Sequence, residues 1–132
     1  MLVMKPRYIV TLVILVIASL VVVGMVAKRS ADSPELAKFA VCLKNQGAIF
    51  YGAFWCPHCA NQKKLFGSAA DSLPYVECST PDGREQLAVC KDKKINGYPT
   101  WEFQDGSRET GEIPLVRLAE KTGCTLPSVS KN

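Results

Sequence analysis

The stretch Ala48-Ile-Phe-Tyr-Gly-Ala-Phe-Trp-Cys-Pro-His-Cys59 decides how this chain folds. The apolar residues 48–54 predict a buried strand. Pro57, a residue type favoured in the first turn of a helix, predicts that a helix begins shortly after that strand. Cys56 and Cys59 then lie on one face of the first helical turn. The unpaired N–H groups at a helix N-terminus stabilise a thiolate, and a disulfide formed there can be exchanged. The pattern therefore predicts thiol–disulfide chemistry.

Three other uses of two such cysteines are a static disulfide, a metal site and haem attachment. The static disulfide stays open as an alternative. A zinc site needs four ligands, and His58 is the single histidine of the chain, so distant cysteines would have to complete it. Haem attachment requires a histidine directly after the second cysteine, where this chain has Ala60. We expect no metal and no cofactor other than the redox-active Cys56–Cys59 disulfide.

An uninterrupted apolar run covers residues 8–27, and basic residues precede and follow it. Twenty helical residues rise about 30 Å, which matches the hydrocarbon core of a bilayer. A cleaved signal peptide is the alternative, but its apolar region is normally about 7–15 residues long. The run therefore predicts an uncleaved transmembrane anchor. The expected domains are a cytoplasmic N-terminus at 1–7, the anchor at 8–27, a linker at 28–33, a folded domain at 34–124 and a flexible tail at 125–132.

Cysteine content and charge bound where the chain works and what it binds. Six cysteines in a short domain are typical of an oxidising compartment. We therefore expect a single-pass protein of the cell membrane, with a cytoplasmic N-terminus and an extracytoplasmic catalytic domain. The chain has 16 Lys and Arg against 12 Asp and Glu, but four of the basic residues flank the apolar run. The folded part is near neutral and lacks the clustered positive charge of a nucleic-acid-binding protein.

The remaining pattern predicts an α/β domain in which a first helix is followed by the order β-α-β-α-β-β-α. The first helix begins at Pro34, carries apolar residues at helical spacing and ends near Gly47. Asp105-Gly106 is a strong signal for a hairpin turn. The other predicted elements are a strand at 48–54, a helix at 56–70, a strand at 75–78, a turn at 80–83, a helix at 84–94, strands at 100–104 and 107–110, and a helix at 113–122.

This order, with an aromatic residue before Cys-Pro-His-Cys and a Tyr-Pro pair before the third strand, resembles the thioredoxin superfamily over residues 34–124. Several longer motifs are most similar to the thioredoxin-like domain attached to bacterial and plant homologues of vitamin K epoxide reductase. The resemblance implies a thioredoxin-like fold, a four-stranded mixed sheet flanked by helices, here preceded by one transmembrane helix. The motifs are Tyr51-Gly-Ala-Phe-Trp-Cys-Pro-His-Cys59, Gln62-Lys63, Leu65-Phe-Gly67, Tyr75-Val-Glu-Cys78 and Gly97-Tyr-Pro-Thr-Trp101.

The resemblance also implies roles for the residues of the Cys-Pro-His-Cys motif. Cys56 would be the exposed nucleophile, and Cys59 would be the resolving thiol that attacks a mixed disulfide. Pro57 and His58 complete the catalytic motif. His58 is placed to stabilise the Cys56 thiolate, and an exposed histidine without a role is the alternative. A Pro-His pair between the cysteines also occurs in a strongly oxidising periplasmic member of the superfamily.

Outside the motif, the superfamily's cis proline corresponds to Pro99, which would lie against the active-site disulfide. Trp55 and Tyr98 would border the groove for a substrate peptide. One position departs from the superfamily: typical thioredoxins carry a buried acid six residues before the first cysteine, and this chain has Phe50 there. Glu77 or a water molecule is the candidate replacement as proton acceptor. The departure favours an oxidase over a general reductase.

Four further cysteines are expected to be structural. In proteins of the resembled family a bridge connects the second strand to the following helix, which corresponds to Cys78 and Cys90 here. Cys42 and Cys124 are then left, and they are expected to form a second bridge. Two free thiols, or a Cys124 that relays electrons from the tail, are the alternatives.

Together these features predict a membrane-anchored thiol–disulfide oxidoreductase. It would oxidise cysteine-containing exported proteins and would be re-oxidised by a quinone-linked membrane partner that resembles vitamin K epoxide reductase. A reductase or isomerase that uses the same site is the first alternative. A non-catalytic anchored binding module, with structural cysteines or a bound metal, is the second.

Overall fold

The computed structural model describes residues 6–29 and 34–128, and the side chains of 7–21 and 34–128. The chain divides into two compact units, Met1–Asp32 and Ser33–Asn132. The first unit contains the helix α1 (Pro6–Arg29). The Ser19 hydroxyl of this helix donates a hydrogen bond to the Val16 carbonyl at 2.8 Å, so this polar side chain is satisfied within its own turn.

The predicted transmembrane helix is wrong. Among the residues that the structure describes, no helix is both long enough and apolar enough to cross a membrane. A bilayer core of about 30 Å requires roughly 20 apolar helical residues. The prediction of a transmembrane anchor at 8–27 is therefore corrected. These residues belong to helix α1, and no helix among the described residues qualifies as a membrane span.

The second unit is an α/β domain whose four strands form one sheet. The strand order is β2-β1-β3-β4, with β1 and β2 parallel and the other neighbours antiparallel. The predicted four-stranded mixed sheet flanked by helices is confirmed. The elements are α2 (Pro34–Asn45), β1 (Ile49–Gly52), α3 (Pro57–Lys64), a 3₁₀ segment (Gly67–Ser72), β2 (Tyr75–Glu77), α4 (Ala88–Asp92), β3 (Thr100–Glu102), β4 (Arg108–Thr110) and α5 (Leu115–Thr122).

Strand β1 lies inside the sheet and separates two apolar clusters. Successive strand residues point to opposite faces, so Phe50 and Tyr51 enter different clusters. Phe50 stacks on its cross-strand partner Trp101 with ring centroids 4.9 Å apart, and both side chains are fully buried. The apolar face of α2 and Leu118 of α5 belong to this larger cluster. The smaller cluster on the other face consists of Tyr51, Cys78, Cys90 and Ile95.

The helix predicted at 84–94 is reduced to α4. The residues before α4 form a turn instead, which an antiparallel bridge between Ser79 and Gln86 closes. The Leu87 N–H donates to the Cys78 carbonyl at 2.7 Å, and Gln86 Nε2 donates to the Ile95 carbonyl at 2.7 Å. These hydrogen bonds to residues outside the segment take the place of the backbone hydrogen bonds that a helix would form.

The helix predicted at 56–70 is also shorter, because α3 ends at Lys64. Gly67 has a φ of 54°, a left-handed conformation that glycine adopts at little cost, and the next residues form the 3₁₀ segment. Phe66 is fully buried before this change of direction and stacks on Phe39 of α2, with ring centroids 6.0 Å apart. The break in the helix therefore coincides with an aromatic side chain that enters the core.

Candidate active site

The candidate active site lies where β1 leads into α3. Cys56 is the residue before the helix, with an extended backbone (φ −78°, ψ 118°), and Pro57 begins the first turn. The Cys56 N–H donates to the Ala53 carbonyl at 3.0 Å, and the Cys56 carbonyl accepts from the Ala60 N–H at 3.1 Å. Cys56 and Cys59 are both free thiols, and both are buried. The turn therefore holds two sulfur atoms together, with the positive end of α3 beside Cys56.

The Tyr98–Pro99 peptide bond, which is cis, lies next to Cys56. The Cys56 thiol donates a hydrogen bond to the Tyr98 carbonyl oxygen at 3.6 Å. Pro99 is fully buried, and its carbonyl accepts from the Gly111 N–H at 2.8 Å. The Cys56 sulfur is thus held against a backbone carbonyl of a loop that is 42 residues away in the sequence.

Cys59 lies slightly deeper than Cys56, with 2% of the residue exposed against 5%. Burial, with a smaller contribution from the hydrogen bond to Cys56, raises the pKa of the Cys59 thiol to about 12. A hydrogen bond with the Ala53 backbone and the nearby Lys63 ammonium act in the opposite direction. Cys59 is therefore a protonated thiol at neutral pH. It must lose a proton before it can attack a disulfide.

Two aromatic side chains lie beside the cysteine pair. The Trp55 and Tyr98 rings meet edge to face, with centroids 6.1 Å apart. Trp55 Nε1 donates to Ser79 Oγ at 2.8 Å, and Gln86 Nε2 donates to the Tyr98 hydroxyl at 2.7 Å. These bonds fix both rings, although 53% of Trp55 is exposed. A fixed and exposed aromatic surface beside a thiol suits contact with a peptide chain.

His58 lies on the exposed side of α3, in contact with an acid that the sequence analysis missed. Its Nδ1 atom is 2.7 Å from Glu112 Oε1, and 67% of the His58 side chain is exposed. Asn61 Nδ2 donates to the same oxygen at 3.1 Å. The hydrogen bonds from His58 and Asn61 lower the pKa of the Glu112 carboxyl. The role predicted for His58 at Cys56 stays a prediction, and no local signal connects His58 to an acid 54 residues away.

Gln62 is a second residue whose part the sequence analysis missed. It is fully buried on α3, where Nε2 donates to the Ile113 carbonyl at 3.0 Å and Oε1 accepts from the Ile113 N–H at 2.6 Å. This pair of bonds connects α3 to the segment before α5. The sequence contained one signal for this role: Gln62 follows Cys59 by three residues, so the side chains of Cys59 and Gln62 lie on one face of the helix. Gln62 therefore positions the helix that carries both thiols.

The position of the missing buried acid is filled by an aromatic cluster. Phe50 is fully buried and packs edge to face on Tyr75, with ring centroids 5.1 Å apart. Glu77, the candidate replacement, ends β2 and is half-buried. Glu77 Oε1 accepts from the N–H groups of Phe54 at 3.3 Å and Ser79 at 2.9 Å. Glu77 Oε2 accepts from the Tyr75 hydroxyl at 2.8 Å.

The other four cysteines form two disulfides. Cys78 and Cys90 connect the end of β2 to α4, with Cα atoms 5.5 Å apart. Cys42 of α2 and Cys124 after α5 form the second disulfide, with Cα atoms 6.0 Å apart. Within residues 6–29 and 34–128, no three His, Cys, Asp or Glu side chains are grouped as a metal site requires. The described cysteines thus form one pair of free thiols, Cys56 and Cys59, which we call the open pair, and two disulfides, which we call the closed bridges.

No model of a protein family matches the chain. The chain is similar to the thiol-disulfide oxidoreductase LTO1 of Arabidopsis thaliana, with 45% identity over 107 residues. The aligned part covers 77% of this chain but 28% of the plant protein, so the chain spans under a third of the length of this curated relative. Together with the mixed four-stranded sheet and its flanking helices, the similarity fits a thioredoxin-like fold.

Proposed function

We propose that this chain exchanges disulfides with other proteins, with Cys56 as the nucleophile and Cys59 as the resolving thiol. One observation carries the proposal: two free thiols share the first turn of α3, and the Cys56 sulfur lies 3.6 Å from the Tyr98 carbonyl oxygen. The remaining cysteines are closed in two disulfides. The open pair is therefore the candidate for exchange, and the similarity to a thiol-disulfide oxidoreductase supports this choice.

In the oxidising half of the cycle, the Cys56–Cys59 disulfide receives two electrons from a substrate dithiol. A substrate thiolate attacks Cys56 Sγ, the bond between Cys56 and Cys59 breaks, and Cys59 leaves as a thiolate. Because its pKa is raised to about 12, Cys59 takes up a proton at neutral pH. The second substrate thiolate then attacks the mixed disulfide, so the substrate disulfide forms and Cys56 leaves as a thiolate.

The other half of the cycle requires a partner disulfide that accepts the two electrons. Cys56 attacks that disulfide, and Cys59 then loses its proton and attacks Cys56 Sγ, which releases the reduced partner. The proposed partner is a quinone-linked membrane oxidoreductase that resembles vitamin K epoxide reductase. The support for this partner is the resemblance of residues 51–101 to the domain that is attached to such proteins.

The preferred direction is oxidation of cysteine-containing exported proteins in a compartment outside the cytoplasm. Two disulfides besides the open pair favour an oxidising compartment. Phe50 stands where a reductase of the resembled superfamily carries a buried acid.

The reduction potential of the Cys56–Cys59 pair tests the direction of electron flow. A potential between about −200 and −120 mV supports an oxidase, and a value near about −270 mV, that of thioredoxin, contradicts it.

The exchange activity itself is tested by trapping. Cys59→Ala lacks the resolving thiol, so the mixed disulfide between Cys56 and a peptide disulfide should accumulate and be visible by mass spectrometry. The matched control is Cys56→Ala/Cys59→Ala, which retains both closed bridges and should form no adduct. If Cys59→Ala forms no more adduct than this control, Cys56 is not the nucleophile and the proposed function is wrong.

A further inference from the structure

We infer that Tyr75 and Glu77 form a proton relay for Cys59, in which the Tyr75 hydroxyl passes a proton between the Cys59 thiol and the Glu77 carboxylate. The inference rests on the proposed function, because Cys59 gains and loses a proton in each cycle only if the pair exchanges disulfides. A buried thiol cannot exchange protons freely with solvent, and only 2% of Cys59 is exposed. A route through neighbouring side chains is therefore needed.

Gly52 of β1 provides the space in which Cys59 and Tyr75 approach each other. A Cβ atom at Gly52 would lie 3.0 Å from Cys59 Sγ and 3.4 Å from the Tyr75 hydroxyl oxygen. The sulfur and the hydroxyl oxygen are thus at most 6.4 Å apart, which is the sum of those two distances. One bridging water molecule spans a gap of this size. The missing side chain of Gly52 therefore opens the first step of the route.

The second step is a direct hydrogen bond. The Tyr75 hydroxyl donates to Glu77 Oε2 at 2.8 Å, so a proton that reaches the tyrosine oxygen displaces one onto the carboxylate. The other oxygen, Glu77 Oε1, accepts from the N–H groups of Phe54 and Ser79, which fixes the carboxylate in this orientation. Glu77 is half-buried, so it can release the proton to solvent. The route therefore leads from the buried sulfur to the surface.

The charges around Cys59 suit a thiolate that is formed briefly. The groups that face Cys59 are Cys56 and Lys63 of the α3 segment, and Tyr75 of β2 with Glu77 behind it. Lys63 Nζ lies 3.4 Å from the centroid of the Tyr75 ring, and its charge lowers the pKa of Cys59. Burial first, and then the hydrogen bond to Glu77, raises the pKa of Tyr75. Tyr75 therefore passes a proton without ionising, and Lys63 stabilises the thiolate that remains.

In the resolving step, the S–H bond of Cys59 breaks and its proton passes to the bridging water molecule, which gives a proton to the Tyr75 oxygen, while the Tyr75 proton moves to Glu77. The Cys59 sulfur attacks Cys56 Sγ and forms the Cys56–Cys59 bond. The mixed-disulfide bond breaks, and the partner sulfur leaves with its electron pair. When Cys59 is the leaving group in the other half of the cycle, the proton moves in the opposite direction.

The relay is tested with Ellman's reagent, an aryl disulfide, and full-length protein reduced only at the open pair. The first thionitrobenzoate is released when Cys56 attacks, and the second when Cys59 resolves the adduct, so stopped-flow absorbance separates the two steps. The variants are Glu77→Gln and Tyr75→Phe, which keep the shape but remove the proton acceptor and the hydroxyl. Matched controls are Glu120→Gln, an exposed acid of α5, and Tyr51→Phe, a buried tyrosine on the other face of the sheet.

We expect the second phase of both variants to slow by roughly tenfold or more at neutral pH, with an unchanged first phase. In the variants the second phase should rise about tenfold per pH unit, because hydroxide then takes the proton, whereas the parent should depend less on pH. The controls should match the parent. A second phase with unchanged rate and pH profile in both variants overturns the relay. Equal slowing of both phases also overturns it, since that indicates a structural role. A missing first phase in the parent contradicts the proposed function itself.

Discussion

The open pair Cys56–Cys59 and the closed bridge Cys78–Cys90 have nearly the same burial and different surroundings. Both members of each pair are at most 5% exposed. The closed bridge lies in the smaller apolar cluster, packed with Tyr51 and Ile95. Burial alone therefore does not tell an exchangeable cysteine pair from a static one.

The sulfur of Cys78 also lies 3.8 Å from a backbone carbonyl oxygen, that of Val76, so the charged and titratable neighbours of the open pair make the difference. The Tyr98 carbonyl accepts a hydrogen bond from Cys56, and the charge of Lys63 acts on Cys59. Around the open pair, each sulfur has a neighbour that can stabilise one stage of an exchange reaction. A thiolate or a proton in transit needs such neighbours, whereas a bridge that is never opened needs only a close-packed environment. The comparison makes separate predictions for activity and for stability.

The largest expected effect is on activity and comes from Cys56→Ala. Removal of the nucleophile should lower the rate of disulfide exchange by at least about a thousandfold, since the covalent intermediate can no longer form. The thermal midpoint of unfolding should change little. The rate of thionitrobenzoate release measures the exchange activity, and circular dichroism measures the thermal midpoint.

The double variant Cys78→Ala/Cys90→Ala should show the reverse, with normal exchange by the folded fraction and lower stability. Exchange that survives Cys56→Ala would remove the distinction between the two pairs.

The closed bridges should differ from each other in stability. Cys42 and Cys124 are 82 residues apart, and Cys78 and Cys90 are 12 apart. In the chain-entropy description, loops of these lengths correspond to about 4.5 and about 3 kcal/mol of unfolding free energy. Urea unfolding of Cys42→Ala/Cys124→Ala and Cys78→Ala/Cys90→Ala should therefore show the larger loss for the first variant. The opposite order would show that native packing around the buried Cys78–Cys90 bridge outweighs loop closure.

The sequence predicted the features that depend on neighbouring residues. An apolar strand followed by a proline within the range 48–59 was enough to predict β1 and the start of α3, because both follow from local periodicity and capping. The strong Asp105-Gly106 turn signal likewise predicted the β3–β4 hairpin. Local signals of this kind also led to the wrong assignment of residues 8–27 as a membrane span.

The features that the sequence did not predict depend on residues far apart in the chain. The contact of His58 with Glu112 spans 54 residues, and the bonds of Gln62 to Ile113 span 51. Such contacts are set by how the elements pack, and no periodicity within one segment encodes them.

A third prediction concerns the space beside Cys59 and uses Gly52→Ala. The added methyl group would lie 2.7 Å from Tyr75 Cε2, in a place where the Tyr75 ring is held against Phe50. Overpacking of this kind costs about 1–3 kcal/mol, measured as the loss of unfolding free energy in urea. The matched control is Gly97→Ala, whose methyl group would meet only the end of the Thr110 side chain at 3.3 Å. The control should lose clearly less stability, and equal losses would show that the space beside Cys59 is not tightly bounded.

The smallest expected effect is the pH dependence of stability that a lone Cys59 thiol causes. In Cys56→Ala both closed bridges remain, and disulfide sulfurs do not titrate. In the parent the pKa of Cys59 is about 12, chiefly through burial; Cys56→Ala removes the smaller contribution of Cys56 and keeps the burial, so the pKa of Cys59 stays above its ordinary value of about 8.5 in an unfolded chain. The unfolded state therefore loses its proton first. Stability is full below about pH 8.5 and falls as the pH rises from there towards the raised pKa of the folded state.

At about pH 9 the loss should be under about 1 kcal/mol, or a few degrees in the thermal midpoint. Thermal unfolding of Cys56→Ala and Cys56→Ala/Cys59→Ala between about pH 7 and 9 isolates the contribution of Cys59. Burial also raises the pKa values of Tyr51 and Tyr75, but both tyrosines are present in both variants, so their effect cancels in the comparison. The decline should be steeper in Cys56→Ala. Parallel curves would mean that Cys59 ionises as easily in the folded protein as in the unfolded chain. The open pair would then need no proton relay, and its difference from the closed bridges would lie in Cys56 alone.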